Sequence, residues 1–145
     1  MPLKTYSGGC HCGAVRFEAD LDLAAGSNRC NCSICFKARA WFAFAKGAEH
    51  FRLLQGKDAL SEYRWNSPAN PEPFLTYAFC SHCGIRIFGR AELPQLGGVF
   101  HAVHLPTLDT TLEDATADEL AASPVSYVDG RHNQFNGPPA DVRLL

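Results

Sequence analysis

The sequence is poor in most of the features that announce a partner. Basic residues number 13 against 15 acidic ones, the net charge is −2, and no basic run of five or more residues occurs. That balance leaves no electrostatic footprint for nucleic acid or for an anionic membrane surface. No apolar run approaches the ~20 residues of a membrane helix. The opening Met1-Pro2-Leu3-Lys4-Thr5-Tyr6 lacks the basic and apolar segments of a secretory leader. No internal repeat, phosphate loop, Ser-His-Asp arrangement or paired-carboxylate motif stands out. With 145 residues, 46% of them hydrophobic, the chain fits one domain, 1–145, with a core of its own.

Cysteine is the exception to this sparseness. There are seven, in Cys10-His11-Cys12, in Cys30-Asn31-Cys32-Ser33-Ile34-Cys35 and in Cys80-Ser81-His82-Cys83, and none lies elsewhere. Thiols two or three positions apart suit a shared metal ion better than long-range disulfides. An odd count without a leader fits a reducing compartment, so the expected location is cytoplasmic. A closed zinc site takes four protein ligands and holds structure, whereas three leave a position for water or substrate. Seven thiols divide into one set of each kind.

Chelate geometry separates the clusters. Two thiolates on one zinc at ~2.3 Å lie roughly 3.8 Å apart, whereas residues i and i+2 of a regular strand are about 6.7 Å apart. Cys10-x-Cys12 therefore needs a bent backbone, and Gly8, Gly9 and Gly13 flank it. Glycine supplies the positive φ angles that such a bend uses. Cys80-x-x-Cys83-Gly84 is a knuckle of the same kind, so Cys10, Cys12, Cys80 and Cys83 can close a four-thiolate site. Cys30, Cys32 and Cys35 can bind one ion from a single loop. Spacing alone leaves open which pairs combine.

Competing readings are weaker. One or two thiols could be buried core residues, but three chelating clusters are a poor match to that account. A redox dithiol at Cys32/Cys35 or Cys80/Cys83 lacks a βαβ context. Six histidines, His11, His50, His82, His101, His104 and His132, compete as a fourth ligand. His11 and His82 sit inside chelate loops with side chains expected to point away. His101 and His104 fall in an apolar strand, where a hydrogen-bonded core role is expected for one of them.

Coarse patterning predicts a mainly β protein, zinc-ribbon-like, with one or two short helices. Val15, Phe17 and Ala19 alternate with polar residues, the period of a half-buried strand. Residues 41–45, 75–79, 85–88 and 99–105 read as further strands, and 51–54 and 60–65 as two successive antiparallel ones. The proline-rich stretch 66–73 is expected to break any regular element. A helix is predicted over 117–122, opened by a capping box at Thr116 and Glu119 and stopped by Pro124. Residues 125–128 read as extended or loop.

These residues resemble the glutathione-dependent formaldehyde-activating enzyme family, also called the centromere protein V family. The resemblance rests on Gly9-Cys10-His11-Cys12-Gly13, on Cys30-Asn31-Cys32-Ser33-Ile34-Cys35 and on Phe79-Cys80-Ser81-His82-Cys83-Gly84. Weaker echoes come from His104-Leu105-Pro106-Thr107-Leu108-Asp109 and Tyr127-Val128-Asp129-Gly130-Arg131, so the motifs span roughly residues 7–131. The resemblance implies a fold of small stacked antiparallel sheets, with a structural zinc on Cys10, Cys12, Cys80 and Cys83. It also implies a second, catalytic zinc on Cys30, Cys32 and Cys35, a site whose three thiols alone lead one to expect partial occupancy. It implies a carbon–sulfur lyase-type reaction that joins formaldehyde to the thiol of glutathione, with a small thiol as partner. A noncatalytic zinc module for a protein partner is the alternative. Phe36, Trp41 and Phe42 lie near enough in sequence to line a thiol pocket, though core packing is the commoner role for such residues.

Overall fold

The computed structural model describes residues 3–67 and 70–145. In chain order the strands are β1 (Lys4–Gly9), β2 (Arg16–Leu21), β3 (Ser27–Cys30), β4 (Trp41–Lys46), β5 (Phe51–Gln55), β6 (Leu60–Ser67), β7 (Asn70–Cys80), β8 (Arg86–Leu93), β9 (Gly98–His104) and β10 (Val125–Val128). The helices are α1 (Ser33–Ala38) and α2 (Ala115–Ala122). A three-stranded sheet runs β1-β2-β5, and a seven-stranded sheet runs β10-β3-β4-β9-β8-β7-β6. Neighbours are antiparallel except β10 and β3, which pair in parallel. Mainly β architecture with stacked sheets and cysteine clusters is therefore what the chain adopts.

Alternation in the sequence places the core between the sheets. Phe17, Ala19 and Leu21 of β2 are fully buried, as are Ala45, Ile87 and Val103 from the larger sheet. Phe51 is the bridge: its ring stacks on Phe17 at 5.2 Å, meets Phe88 at 4.6 Å and stacks on His101 at 4.3 Å. Burying one such ring contributes about 1.5–3 kcal/mol. Gly8 of β1 is fixed by close approach, because a Cβ there would lie 2.5 Å from the Thr107 carbonyl and 2.6 Å from Phe17. The turn around Thr107 thereby lies flat on β1, where Asp109 N–H donates to the Ser7 carbonyl at 2.8 Å.

His101 is a core residue, as its apolar strand implied, but its Nδ1 has no hydrogen-bond partner among the described residues. Burial, with Arg90 adding, lowers its pKa to about 4. Between about pH 6.5 and 4 the unfolded chain then binds a proton that the folded one refuses, so stability falls as pH drops through that window. We expect His101→Phe to remove this loss. The stability of the wild type relative to the variant, from urea melts, should decline by about 2–3 kcal/mol between pH 7 and 4. A constant difference would show that His101 does not titrate on unfolding.

Several expectations are corrected. The strands at 51–54 and 60–65 exist but do not pair: β5 joins β2, and β6 joins β7 in the other sheet. The proline-rich stretch does not break the regular structure up to Ser67 or from Asn70, since Ser67 and Asn70 are ladder partners; Pro68 and Ala69 lie outside the described residues. Helix α2 starts at Ala115 rather than 117 and is capped by Asp114, whose carboxylate accepts from Ala117 N–H at 2.9 Å. A carboxylate at the helix N-terminus also meets the dipole favourably. Glu119, expected in the capping box, instead binds Lys4 and Tyr6 of β1. No helix is long and apolar enough to cross a membrane among the described residues.

Candidate metal centres

The first centre forms where the two sheets are stitched together. Cys10 and Cys12 lie in the turn between β1 and β2, Cys80 ends β7, and Cys83 lies in the turn to β8. The two turns share one design. Gly13 N–H returns to the Cys10 carbonyl at 3.3 Å and Gly84 N–H to the Cys80 carbonyl at 2.8 Å, with φ of +82° and +77° at the glycines. Backbone N–H groups also point at sulfur, Val15 at Cys10 (3.3 Å) and His82 at Cys80 (3.4 Å). Such donors favour thiolates. A backbone hydrogen bond from Cys12, with another from Ile85, lowers the Cys83 pKa to about 6.

The sulfur spacing matches a tetrahedral ion. Cys10 and Cys12 Sγ are 3.6 Å apart, Cys12 and Cys80 Sγ 3.7 Å, and all four sulfurs lie within 4.8 Å of one another. These separations are close to the roughly 3.8 Å edge expected for four thiolates at a Zn–S distance of ~2.3 Å. A soft, all-sulfur donor set fits zinc.

The second centre is built on a strand-to-helix corner. Cys30 ends β3, Cys32 caps α1, and Cys35 sits in its first turn. The Cys32 Sγ takes the capping role usually given to a hydroxyl or carboxylate, accepting from Cys35 N–H at 3.5 Å. The Cys30 and Cys35 thiols donate to it as well, and Cys32 is lowered to about 3. The same contacts push Cys35 far above the thiol range. The three sulfurs lie within 4.8 Å of one another, with no fourth His, Cys, Asp or Glu donor joining them among the described residues.

A distant segment clamps this corner. β10 runs parallel beside β3, and Asp129 follows it. Asp129 is buried and accepts from Asn31 Nδ2 at 2.8 Å, while Arg131 donates its backbone N–H to Asn31 Oδ1 and its Nε to the Asn31 carbonyl, both at 2.9 Å. Gly130 packs so closely that a Cβ there would stand 2.5 Å from Cys30 Sγ. Asn31 lies within the thiol-cluster motif and Asp129 and Gly130 within the weaker one, but the sequence assigns none of them a role in the site.

No histidine joins either thiol group among the described residues. His11 and His82 are exposed in their turns. His50 binds Asp20 and His132 binds Asp129, each at 2.9 Å. His104 Nδ1 faces the Arg86 carbonyl at 3.1 Å, and its buried Nε2 makes no hydrogen bond of good geometry among the described residues. The aromatics divide: Phe42 packs against the second thiol group, Phe36 lines the cleft beside it, and Trp41 joins the main core. Tyr77 of β7 was not foreseen. Burial raises its phenol above the usual range, and the Arg86 guanidinium lies 4.1 Å over its ring.

A mainly β scaffold carrying one four-thiol and one three-thiol cluster defines a class of protein with two candidate metal centres. Residues 5–123 match the model of the family described as glutathione-dependent formaldehyde-activating enzyme, and the chain belongs to that family. Its fold is also similar to a crystal structure of a Rhodobacter sphaeroides protein solved as a structural genomics target. The two are 26% identical, with a TM-score of 0.60 over 83% of this chain and 99% of that one.

Proposed function

We propose that the protein is a zinc-dependent enzyme of the carbon–sulfur lyase type that acts on a small thiol, with formation of S-hydroxymethylglutathione as the reaction that fits best. Cys10, Cys12, Cys80 and Cys83 hold a structural zinc and Cys30, Cys32 and Cys35 a catalytic one. The observation that carries this reading is the unequal division of the thiols, a closed set of four and an open set of three, within a family named for glutathione and formaldehyde. A zinc bound by the three thiols would supply Lewis acidity and hold an incoming thiol as thiolate near neutral pH.

The residues divide the remaining tasks. Asn31 and Asp129 keep the loop in its chelating shape, and Phe42 packs against Cys30 and Cys35 on one side. In the reaction the thiolate sulfur attacks the formaldehyde carbon and a carbon–sulfur bond forms. The carbonyl π pair passes to oxygen, which takes one proton to give the hydroxymethyl product. The reverse reaction releases the aldehyde. Seven free thiols suit the reducing cytoplasm for such an enzyme.

Calorimetric titration with glutathione at neutral pH tests the reading. We expect saturable binding by the zinc-loaded protein and at least tenfold weaker binding by Cys32→Ser. Binding that is absent, or unchanged in Cys32→Ser, would remove the thiol from the metal and favour a noncatalytic zinc module.

A further inference from the structure

The inference rests on that thiol-binding reading and concerns what else the bound thiol carries. A cleft opens beside Cys30 and Cys35, with Arg29, Phe36, Arg39 and Leu145 among its walls. Arg29 directly precedes Cys30, and its guanidinium lies 5.0 Å from the centre of the Trp41 ring. Arg39 caps the C-terminus of α1 in the left-handed region, at φ +51°. Glycine and asparagine fill that position most easily, so a long cationic side chain there is held against backbone preference. Its guanidinium lies 5.9 Å from the Phe36 ring centre.

Neither arginine pairs with a carboxylate among the described residues, whereas Arg16, Arg52 and Arg143 each do. Three thiolates on a divalent ion leave a single negative charge, and a fourth leaves two. A fourth thiolate is therefore poorly held unless cations lie close by. A guanidinium is also a planar fork that matches a carboxylate with two parallel hydrogen bonds.

We propose that Arg29 and Arg39 form a carboxylate subsite, so that the ligand of this centre is a thiol acid: sulfur at the metal, its acid group on the two guanidiniums. The free protein already places an acceptor there, for Arg39 donates to the Leu144 carbonyl and Leu145 lies in the cleft. A small peptide-like acid takes the place of that main-chain group and displaces residues 144–145.

Three ligands separate the contributions: glutathione, its diethyl ester, which keeps the thiol but loses both acids, and S-methylglutathione, which keeps the acids but loses the thiol. Titrated into zinc-loaded protein, glutathione should bind about tenfold more tightly than the ester. Arg29→Gln and Arg39→Gln should each weaken glutathione severalfold and leave the ester unchanged, with melting temperatures confirming that both variants fold. Equal affinity for glutathione and ester, or equal losses of both in the variants, would overturn the subsite while the thiol reading stands. If neither thiol binds but S-methylglutathione does so through the arginines, the subsite stands and the thiol reading falls. If none of the three binds, both are overturned.

Discussion

Cys80→Ser should lower the melting temperature by about 15 °C, while Cys32→Ser should shift it by only a few degrees. Cys80 is fully buried, and its centre ties the β1–β2 turn to the β7–β8 turn, one from each sheet. Binding energy at a site that exists only in the folded chain is folding energy. In a domain with its own core the net loss is of order 5 kcal/mol, and each kcal/mol moves the midpoint of a chain this long by about 3 °C. The second centre lies within one corner at the end of β3 and α1, where less of the fold depends on it. Calorimetric melts of the metal-loaded proteins make the comparison. Equal destabilisation would erase the distinction between a structural and a working centre.

Gly130→Ala should cost the second centre about a hundredfold in metal affinity and leave the first intact. An added methyl carbon would lie 2.5 Å from Cys30 Sγ and 3.1 Å from Cys32 Cβ, too near for either atom to stay in place. The clamp of Asp129 and Asn31 prevents the segment from simply backing away. Groups that orient metal ligands typically account for 10–100-fold in affinity, and a direct clash with a ligand belongs at the upper end. Metal content after dialysis against a graded chelator series should therefore fall from two equivalents towards one. Gly137→Ala is the control, since nothing lies within 4 Å of its added carbon. Retention of both equivalents by Gly130→Ala would show that the corner has slack the packing does not suggest.

What could be read from the chain follows from how local each signal is. The cysteines declare themselves because chelation imposes short spacings, and β2 does so because Phe17, Ala19 and Leu21 alternate cleanly. The grouping of Cys10 and Cys12 with Cys80 and Cys83 needed the family resemblance, because the two halves are 68 residues apart. β3 was missed because Ser27-Asn28-Arg29-Cys30 is polar; it is a strand only because β4 and β10 flank it. Buried Ser27 there accepts from Trp41 Nε1 at 2.8 Å. β1 was missed for a related reason, since only Tyr6 and Gly8 of its six residues turn inward. Six-residue α1 has no room for a helical period and is announced only by the Cys32 cap. That neither Arg29 nor Arg39 pairs with a carboxylate among the described residues is a property of the assembled surface, and local sequence carries no trace of it.

The parallel pairing of β10 with β3 also sets an order of events on the ribosome. Asn31 and Arg131, which close the second corner, are 100 residues apart in sequence. At ~5–20 residues per second, Cys30, Cys32 and Cys35 emerge roughly 5–20 s before the segment that shields them. Nascent chains therefore carry an open trio of thiols through that interval, free to take up or surrender an ion. The first centre needs nothing beyond Cys83. Closure during synthesis should therefore proceed in sequence, the inter-sheet centre first and the strand-to-helix corner last, with the later segment shutting the door on whatever the trio has captured.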